Sequence, residues 1–432
     1  MKRLWIVILL IPFLAQAVEY KEDLIPSLLN YRFTGFIRND FFADTRQSLQ
    51  FRSNPLLVVP REPNYDPICA DSNAVNKFGI TPLRSYLRLD VWGKDFATVD
   101  AHACLQVDFI GPQELQQGLL RCWYLYGELY SERNQCIIGQ FRHPFRPIRV
   151  FPGSLTYNPA AIEQAPQLRW RHTFANGIST IITAFSELAF PSFGLAQPLL
   201  GGCPCHCPPA SNAVNSSSLF IQNSTKPGVA GRIEYSSPMV VVGCGLLGFS
   251  LLPRLVTNLC YPNDATVPAC WATAYGAVTT CDIDWKTQLL WGQNVASINP
   301  VGGYVAAQCS NETGNCRYRA LQDLLIWSDC SWQRHPIVHP GFYLEFTTIV
   351  GHGPTVIDPV TQAATVYGTD GRLHSVLRCS PRIIIDWGDL KLGIEYSYIR
   401  ALYGSLDATG RLINRTPIAM GRLLVVTWCL LR

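Results

Sequence analysis

The sequence predicts an all-β protein, a transmembrane antiparallel β-barrel of about 16 strands (about 14 to 18), with long extracellular loops and short periplasmic turns. Two observations predict it. Apolar residues keep a period of two from Leu83 almost to the C-terminus, and an export signal precedes them. A period of two makes one face of each strand apolar and the other polar. Because the polar face carries charges, a barrel with a wet lumen fits better than a soluble sandwich.

The N-terminus has the three parts of a secretory signal. Lys2 and Arg3 come first, the apolar run 4–14 follows, and Ala-Gln-Ala at 15–17 forms a cleavage site. We expect residues 1–17 to be a cleavable signal peptide and residues 18–432 to form one outer-membrane barrel domain. No later stretch offers the roughly 18 uncharged apolar residues that a spanning helix needs. The export signal and the strand pattern together predict the bacterial outer membrane.

Strands follow one another along most of the chain. The alternation is cleanest over residues 100–109, where apolar side chains occupy odd positions and polar side chains occupy even ones. The last segment is less clear, because apolar residues occupy both of its faces. The predicted strands cover residues 31–41, 83–92, 100–109, 119–129, 135–141, 167–173, 178–188, 229–236, 239–251, 284–291, 301–309, 317–327, 342–350, 373–387, 390–398 and 420–431.

Four long stretches rich in Pro, Gly, Ser, Asn and Cys separate these strands. They cover residues 53–77, 191–227, 253–281 and 351–371. Patternless stretches this long are uncommon in compact soluble domains, whereas membrane barrels carry them as external loops. We interpret them as extracellular loops.

The composition fits a protein that meets lipid. Apolar residues make up 48% of the chain and charged residues 15%, well below the usual quarter or so. Aromatic residues at 11% fit interfacial girdles. A formal net charge of +4 gives no reason to expect a nucleic-acid partner. The partners we expect are outer-membrane lipids and small solutes.

Short motifs occur in order along the mature chain. Residues 35–42 read Gly-Phe-Ile-Arg-Asn-Asp-Phe-Phe, and residues 44–47 read Asp-Thr-Arg-Gln. Further motifs are Val-Asp-Phe-Ile-Gly at 107–111, Gly-Gln at 139–140, His-Pro at 143–144, Phe-Pro at 151–152, Pro-Gln-Leu-Arg at 166–169, Pro-Gly at 340–341, Ser-Pro-Arg at 380–382 and Glu-Tyr at 395–396. This series resembles a Bacteroidetes family of outer-membrane barrels that is similar to the DcaP-like trimeric porins.

The resemblance implies passive diffusion through a wide barrel, a homotrimer, and insertion by the barrel-assembly machinery. Some members of the family resemble channels for small anions such as dicarboxylates. The chain departs from the pattern in its high cysteine content, in its weakly alternating last strand, and in ending on Arg432, where such barrels commonly end in an aromatic residue.

Charged residues recur on the polar phase of the predicted strands. Twelve of them are candidates for the lumen or its constriction: Arg32, Arg38, Asp40, Arg84, Arg88, Asp90, Asp108, Arg169, Arg171, Arg382, Asp386 and Glu395. Two hypotheses stay open. The opposite charges pair and brace the wall, or the arginines form a constriction that favours anions, because a guanidinium binds a carboxylate through two hydrogen bonds.

The 16 cysteines all follow the signal, so an oxidising compartment permits disulfides. Eight are disulfide candidates in predicted loops: Cys203, Cys205, Cys207, Cys260, Cys270, Cys281, Cys309 and Cys316. The spacing of Cys203, Cys205 and Cys207, with prolines between them, is unlike a zinc site. Cys309 and Cys316 flank a turn sequence whose ends a disulfide could join.

The sequence contains no local signature of an enzyme: no Gly-x-Ser-x-Gly, no His-Glu-x-x-His and no phosphate-binding Gly-rich loop. We expect no enzyme activity, no metal and no cofactor. His143 follows a predicted strand, and we expect it to pack in a loop against the barrel rim.

The function we expect is a porin for passive diffusion of small hydrophilic solutes, with a possible preference for anions. The alternative is a structural and surface-interaction barrel, plugged by its own loops and cross-linked to its neighbours by disulfides in the cell envelope. A third reading is a soluble, exported array of β-sandwiches.

Overall fold

The computed structural model describes residues 29–49, 58–96, 99–110, 119–156, 164–186, 192–195, 214–217, 219–257, 261–294, 299–351, 353–358 and 363–431. The described residues form β-strands and connections apart from one short helix, α1 (Leu219–Gln222). Among these residues no helix is long and apolar enough to cross a membrane.

The wall of the molecule is a single large antiparallel sheet. With all strands numbered in chain order, its members are β1 (Leu29–Asp44), β2 (Lys77–Thr81), β3 (Tyr86–Phe96), β4 (Val99–Asp108), β5 (Arg121–Tyr130), β6 (Asn134–Arg142), β7 (Gln164–Thr173), β8 (Ile178–Phe185), β11 (Gly228–Ser236), β12 (Val240–Leu251), β13 (Val267–Thr279), β14 (Ile283–Gln293), β17 (Gln322–Trp332), β18 (Val338–Gly351), β22 (Leu373–Trp387), β23 (Leu390–Leu406) and β24 (Leu412–Leu431).

The sheet closes into a barrel through β1. One edge of β1 pairs with β24, with Asp44 opposite Arg422, and the other edge pairs with β3 and then β2. β2 and β3 occupy one position in the wall, interrupted at residues 82–85, where Pro82 lacks the N–H that a ladder needs. The wall therefore has 16 strand positions, and the prediction of a closed antiparallel barrel of about 16 strands is confirmed.

The two ends of the barrel differ in their connections. At the end of the barrel where β1 begins and β24 ends, the connections between neighbouring strands are at most five residues long, as at 131–133 and 237–239. Seven of the eight connections at the other end are much longer, for example 45–76, 143–163 and 186–227. This asymmetry is typical of outer-membrane barrels, whose long loops face outward.

The outer face of the wall is apolar and carries aromatic residues near its ends. Leu125 and Ile138 are more than half exposed on neighbouring strands. On β14, Trp285 and Trp291 both point outward and lie six residues apart, about 20 Å along the strand. Two aromatic positions that bracket an apolar band fit a surface that meets a membrane.

Smaller strands lie in the long connections: β9 (Ser192–Leu195) pairs with β10 (Val214–Ser217), β15 (Tyr304–Cys309) pairs with β16 (Cys316–Ala320) and β21 (Val366–Tyr367), and β19 (Ile357–Asp358) pairs with β20 (Ala363–Ala364). The prediction that residues 301–309 form a wall strand was therefore wrong. Val301 and Val305 pack against loop residues and the inner face of β23, so this short apolar run has no membrane-facing surface.

The wall strand β13 was missed, because residues 253–281 were predicted to be one loop. Its outward face carries Pro268, Cys270, Ala272, Ala274 and Gly276, and its inward face is also largely apolar. Neither face shows the polar phase that marks other strands. The missed β13 and the wrongly predicted strand at 301–309 offset each other in the strand count.

Candidate functional site

One loop, residues 143–156, enters the barrel and crosses its lumen; we name it the crossing loop. It begins after β6, where Phe145 packs edge-on against Trp271 of β13 at 5.8 Å between ring centroids. Further on, the guanidinium of Arg149 donates to the carbonyl oxygens of Ser237 and Pro238 in the short turn after β11. The loop therefore extends from the long-loop end of β6 to the opposite end of the barrel before it turns back.

The far part of the crossing loop is held by charged side chains of the opposite wall. The carbonyl oxygen of Leu155 accepts hydrogen bonds from Arg38 and Arg84, both at 2.9 Å. The carboxylate of Glu395 accepts from the backbone N–H of Leu155 at 2.7 Å and of Thr156 at 3.0 Å. Charge-assisted bonds of this kind are about twice as strong as neutral ones. The loop is thus docked by its backbone.

The charges that hold the loop are themselves neutralised by close partners. Arg38 pairs with Asp40 at 2.6 Å, and Arg84 reaches the same carboxylate at 3.3 Å. Arg378 pairs with Glu395 at 3.0 Å. All of these side chains are largely buried, and buried charges are tolerated when paired and hydrogen-bonded.

The same wall carries two more buried ion pairs. Arg382 of β22 lies 2.6 Å from Asp329 of β17, and Arg422 of β24 lies 2.6 Å from Asp44 of β1. The guanidinium of Arg382 also lies beside Gly153 of the crossing loop, where an added Cβ would come within 2.7 Å of it. We call this side of the lumen, formed by β17, β18, β22, β23, β24 and β1, the braced wall.

Apolar clusters fill the lumen on two sides of the crossing loop. Phe145 and Val150 of the loop join buried side chains of β8, β11–β14, β17 and β18, with Trp271 and Trp327 at the centre. Near the long-loop end, Val59 and Val305 from the loops pack against Ile399 and Tyr403 of β23. On the inner face from β3 to β7, Tyr124, Tyr126 and Phe141 belong to a third buried cluster, whereas Arg88 and Arg171 keep 28% and 25% of their side-chain surface.

Five arginines gather beside the base of the crossing loop; we name them the arginine cluster. They are Arg142 at the end of β6, Arg146 in the loop, Arg169 and Arg171 of β7, and Arg232 of β11. Arg169 donates to the carbonyl oxygen of Arg142 at 2.8 Å. The charges of Arg232, Arg142 and Arg171 all act on Arg169.

Among the described residues, the carboxylate that acts on Arg169 and Arg171 is that of Glu234, which lies 3.6 Å from Arg171 and accepts a hydrogen bond from Tyr275 at 3.0 Å. The guanidiniums of Arg142, Arg169, Arg171 and Arg232 against this carboxylate leave an excess of positive charge in a partly desolvated lumen. Such a surface attracts anions and repels cations.

His143, the first residue of the crossing loop, is surrounded by this positive charge. Burial, together with the charges of Arg146, Arg169 and Arg232, lowers the pKa of His143 to about 3. The imidazole is therefore neutral at physiological pH. Its ring lies 5.3 Å from that of Phe185, the last residue of β8, and the residue is 1% exposed, so this loop position is buried against the ends of the wall strands.

All twelve predicted lumen residues lie on the inward phase of the wall or its interruption, and most are paired. Besides the pairs above, Arg88 binds Asp90 at 2.7 Å and Arg121 binds Asp108. Asp386 pairs with Lys391 near a short turn. The exceptions are Arg32, which is exposed with its guanidinium 5.5 Å from the ring centroid of Trp92, and Arg169, which donates a hydrogen bond to a backbone carbonyl oxygen.

Sequence reasoning missed several partners in these networks: Asp44, Arg121, Arg142, Arg146, Arg232, Glu234, Asp329, Arg378 and Arg422. Arg232 and Glu234 alternate with apolar residues in a strand that was predicted, so the same period-two test applied there would have found them. Arg142 and Arg146 carry no such signal, because they lie at a strand end and in a loop.

The cysteines differ from the prediction in part. Cys309 and Cys316 form a disulfide across the β15–β16 hairpin. Cys270 is a free thiol on the outward face of β13, and Cys281 is a free thiol in the short turn that follows, so their placement in one long loop was wrong. Cys203, Cys205, Cys207 and Cys260 lie outside the described residues.

No group of three or more His, Cys, Asp or Glu side chains in the described part of the chain could hold a metal ion. No protein-family model and no curated protein sequence matches the chain.

Solved structures do resemble the fold. The outer membrane channel DcaP of Acinetobacter baumannii is similar with a TM-score of 0.62 and 11% identity, covering 94% of this chain and 98% of that one. An anion-selective porin from Comamonas acidovorans gives a TM-score of 0.51 and 7% identity over 93% of this chain and 100% of that one. The trimer form of OmpT of Vibrio cholerae gives 0.50 and 8% over 94% and 100%. At such low identity the similarity establishes the fold of outer-membrane channels.

Proposed function

We propose that this protein is a channel of the bacterial outer membrane through which small hydrophilic solutes diffuse, with a preference for anions. The closed 16-position barrel, its apolar outer face and its similarity to DcaP support the location and the channel role. The export signal predicted for residues 1–17 would direct the chain to that membrane, and the motif series at 35–47 and beyond supports kinship with DcaP-like porins.

The anion preference rests on one observation: the guanidiniums of Arg142, Arg169, Arg171 and Arg232 against the carboxylate of Glu234. Because Arg88 and Arg171 keep 28% and 25% of their side-chain surface, we propose that solutes pass along β3 to β7 and so beside Arg171. The anion selectivity in the name of the Comamonas acidovorans porin, a protein of similar fold, supports this reading.

Conductance in planar lipid bilayers tests the proposal. The purified full-length protein is expected to insert and give stable ohmic openings, and in a potassium chloride gradient its reversal potential is expected to lie on the anion side. Protein that inserts without conducting would contradict the channel role. Openings with a reversal potential on the cation side would contradict only the anion preference.

We also propose a homotrimer, supported by the motif resemblance and by the trimer form of a protein of similar fold. Light scattering of the detergent complex measures the particle mass directly. A mass of three chains is expected, and a monomer at all concentrations would contradict the proposal.

A further inference from the structure

Arg232 is a buried arginine whose guanidinium lacks hydrogen bonds at two of its nitrogen atoms. The residue is 3% exposed, yet its Nε and Nη1 atoms have no hydrogen-bond partner. Its guanidinium lies 5.9 Å from the ring centroid of Tyr275. An arginine does not lose its proton in a protein, so this group stays charged, and a buried charge without hydrogen bonds is costly.

Arg169, on the other side of β8, is also buried with a guanidinium nitrogen that lacks a hydrogen-bond partner. It is also 3% exposed, and its Nε atom has no partner. In the barrel register Arg169 lies opposite Thr183 of β8, whereas Arg232 lies opposite Ile181, two residues away on that strand. β7 and β11 are separated by about 10 Å, so the long arginine side chains can meet above β8. Accordingly, Arg232 exerts the strongest charge effect on Arg169.

The wall beside Arg232 leaves room for its side chain. Gly245 of β12 lies directly opposite, and an added Cβ there would come within 2.5 Å of the Arg232 Cγ. At the neighbouring inward position, a Cβ on Gly243 would come within 2.5 Å of the Tyr275 hydroxyl. Because Gly243 and Gly245 have no side chains, Arg232 and Tyr275 can lie side by side in a buried space.

The nearby carboxylate does not supply the missing partner. Glu234 accepts its hydrogen bond from Tyr275 and faces Arg171, and no hydrogen bond between it and Arg232 occurs among the described residues. Two buried guanidiniums with three unpartnered nitrogen atoms between them match the several oxygens of an oxyanion, which a guanidinium binds through parallel hydrogen bonds.

We propose that Arg169 and Arg232 bind a resident small oxyanion of the phosphate or sulfate type, which ties the base of the crossing loop to the barrel wall. The loop takes part because the charges of Arg169 and Arg232 both act on His143, its first residue. This site is distinct from the conducting path, since both of its arginines are buried.

Phosphate binding to the full-length protein in detergent tests the site. After exhaustive dialysis into chloride buffer at constant ionic strength, wild-type protein is expected to bind labelled phosphate saturably, at about one ion per chain, and sulfate is expected to compete. Arg232→Met should weaken binding at least tenfold. The control Arg171→Met, which removes an accessible member of the same cluster, should bind phosphate nearly as well as the wild type.

Unfolding midpoints give a second readout. With a resident anion, phosphate raises the midpoint of the wild type by mass action, and Arg232→Met removes that dependence. Without one, Arg232 is only an uncompensated charge, and the apolar replacement should raise the midpoint in every buffer. That result, together with no saturable phosphate or sulfate binding by the wild type, would overturn the proposal. If Arg232→Met does not fold, Arg232→Lys keeps the charge and loses the planar fork, so it should still weaken phosphate binding at least tenfold.

Discussion

The two sides of the lumen use arginine in different ways. On the braced wall, Arg38, Arg382 and Arg422 each have a carboxylate at 2.6 Å. In the arginine cluster, the four guanidiniums other than that of Arg146 have Glu234 between them. Residue type and inward orientation are the same on both sides. The number of carboxylates within reach decides whether an arginine stabilises the barrel or adds to the field in its lumen.

The sequence raised two hypotheses for the inward charges: they brace the wall, or they form a constriction that favours anions. The ion pairs of the braced wall are the arrangement that bracing predicts. The proposed anion preference would arise at the arginine cluster. Changes to the braced wall should alter stability and conductance together, whereas changes to the arginine cluster should mainly alter selectivity.

The largest effect is expected from Glu395→Gln. The substitution removes the charge that accepts from Leu155 and Thr156 and leaves Arg378 without its carboxylate. Breaking one side of a buried ion pair costs about 3 to 5 kcal/mol. Denaturant unfolding in detergent should show that loss, and single-channel recordings should show larger, noisier openings.

The control Glu128→Gln changes a lumen carboxylate that contacts His102 and Gln135 instead. Equal effects of the two variants would contradict the docking role.

A double-mutant cycle on Asp44 and Arg422 should show the next largest effect. Asp44→Asn alone is expected to cost about 3 kcal/mol, because it leaves Arg422 buried and unbalanced. Combining it with Arg422→Met should recover most of that loss, as apolar replacement of a buried pair often does. Unfolding free energies provide the measurement, and simple additivity of the two changes would contradict a coupled pair. Arg32→Met, at an exposed position, should change stability by less than about 0.5 kcal/mol.

His143 predicts a pH dependence of stability. Its pKa is about 3 in the folded protein and about 6.5 in an unfolded chain. Below about pH 6.5 the imidazole is therefore protonated in the unfolded state and neutral in the folded state. The free energy of unfolding falls as the pH falls. From pH 8 to pH 5 this group should cost about 2 kcal/mol. The difference between wild type and His143→Gln isolates it, and identical pH profiles would contradict the burial of a neutral imidazole.

The smallest effect is expected from the disulfide. Cys309 and Cys316 close a loop with a sequence separation of 7, for which chain entropy gives about 2 kcal/mol of local stabilisation. Cys309→Ser should speed hydrogen exchange in residues 304–320 and leave conductance unchanged. Cys281→Ser, which changes a free thiol in a short turn, is the matched control. A changed conductance in Cys309→Ser would mean that this hairpin affects the path.

Most of the wall could be predicted from the sequence because membrane strands repeat a strong local signal. β4 shows it clearly: its even positions, such as His102 and Gln106, face inward, and its odd positions face lipid. β13 could not be predicted this way, since small and apolar residues occupy both of its faces. Alternation in polarity identifies a wall strand only where its inward side chains are polar and its lipid-facing side chains are apolar.

The partners within the lumen could not be predicted, because they join residues far apart in the chain. Glu395 meets Leu155 across 240 residues, and Arg422 meets Asp44 across 378. Period two shows that these charges point inward, but it contains no information on which charges meet. The crossing loop has the same difficulty, since nothing in its composition distinguishes a loop that folds inward from one that does not.

The most direct test of the central claim is the reversal potential in a salt gradient for three proteins. Arg171 and Arg88 are similarly exposed to the lumen, but Arg171 belongs to the arginine cluster, whereas Arg88 is bound to Asp90 at 2.7 Å. We expect an anion-side potential for the wild type, a clear shift towards zero for Arg171→Gln, and little change for Arg88→Gln combined with Asp90→Asn. A wild-type potential that Arg171→Gln leaves unchanged, or that the neutral double change moves equally, would contradict the account.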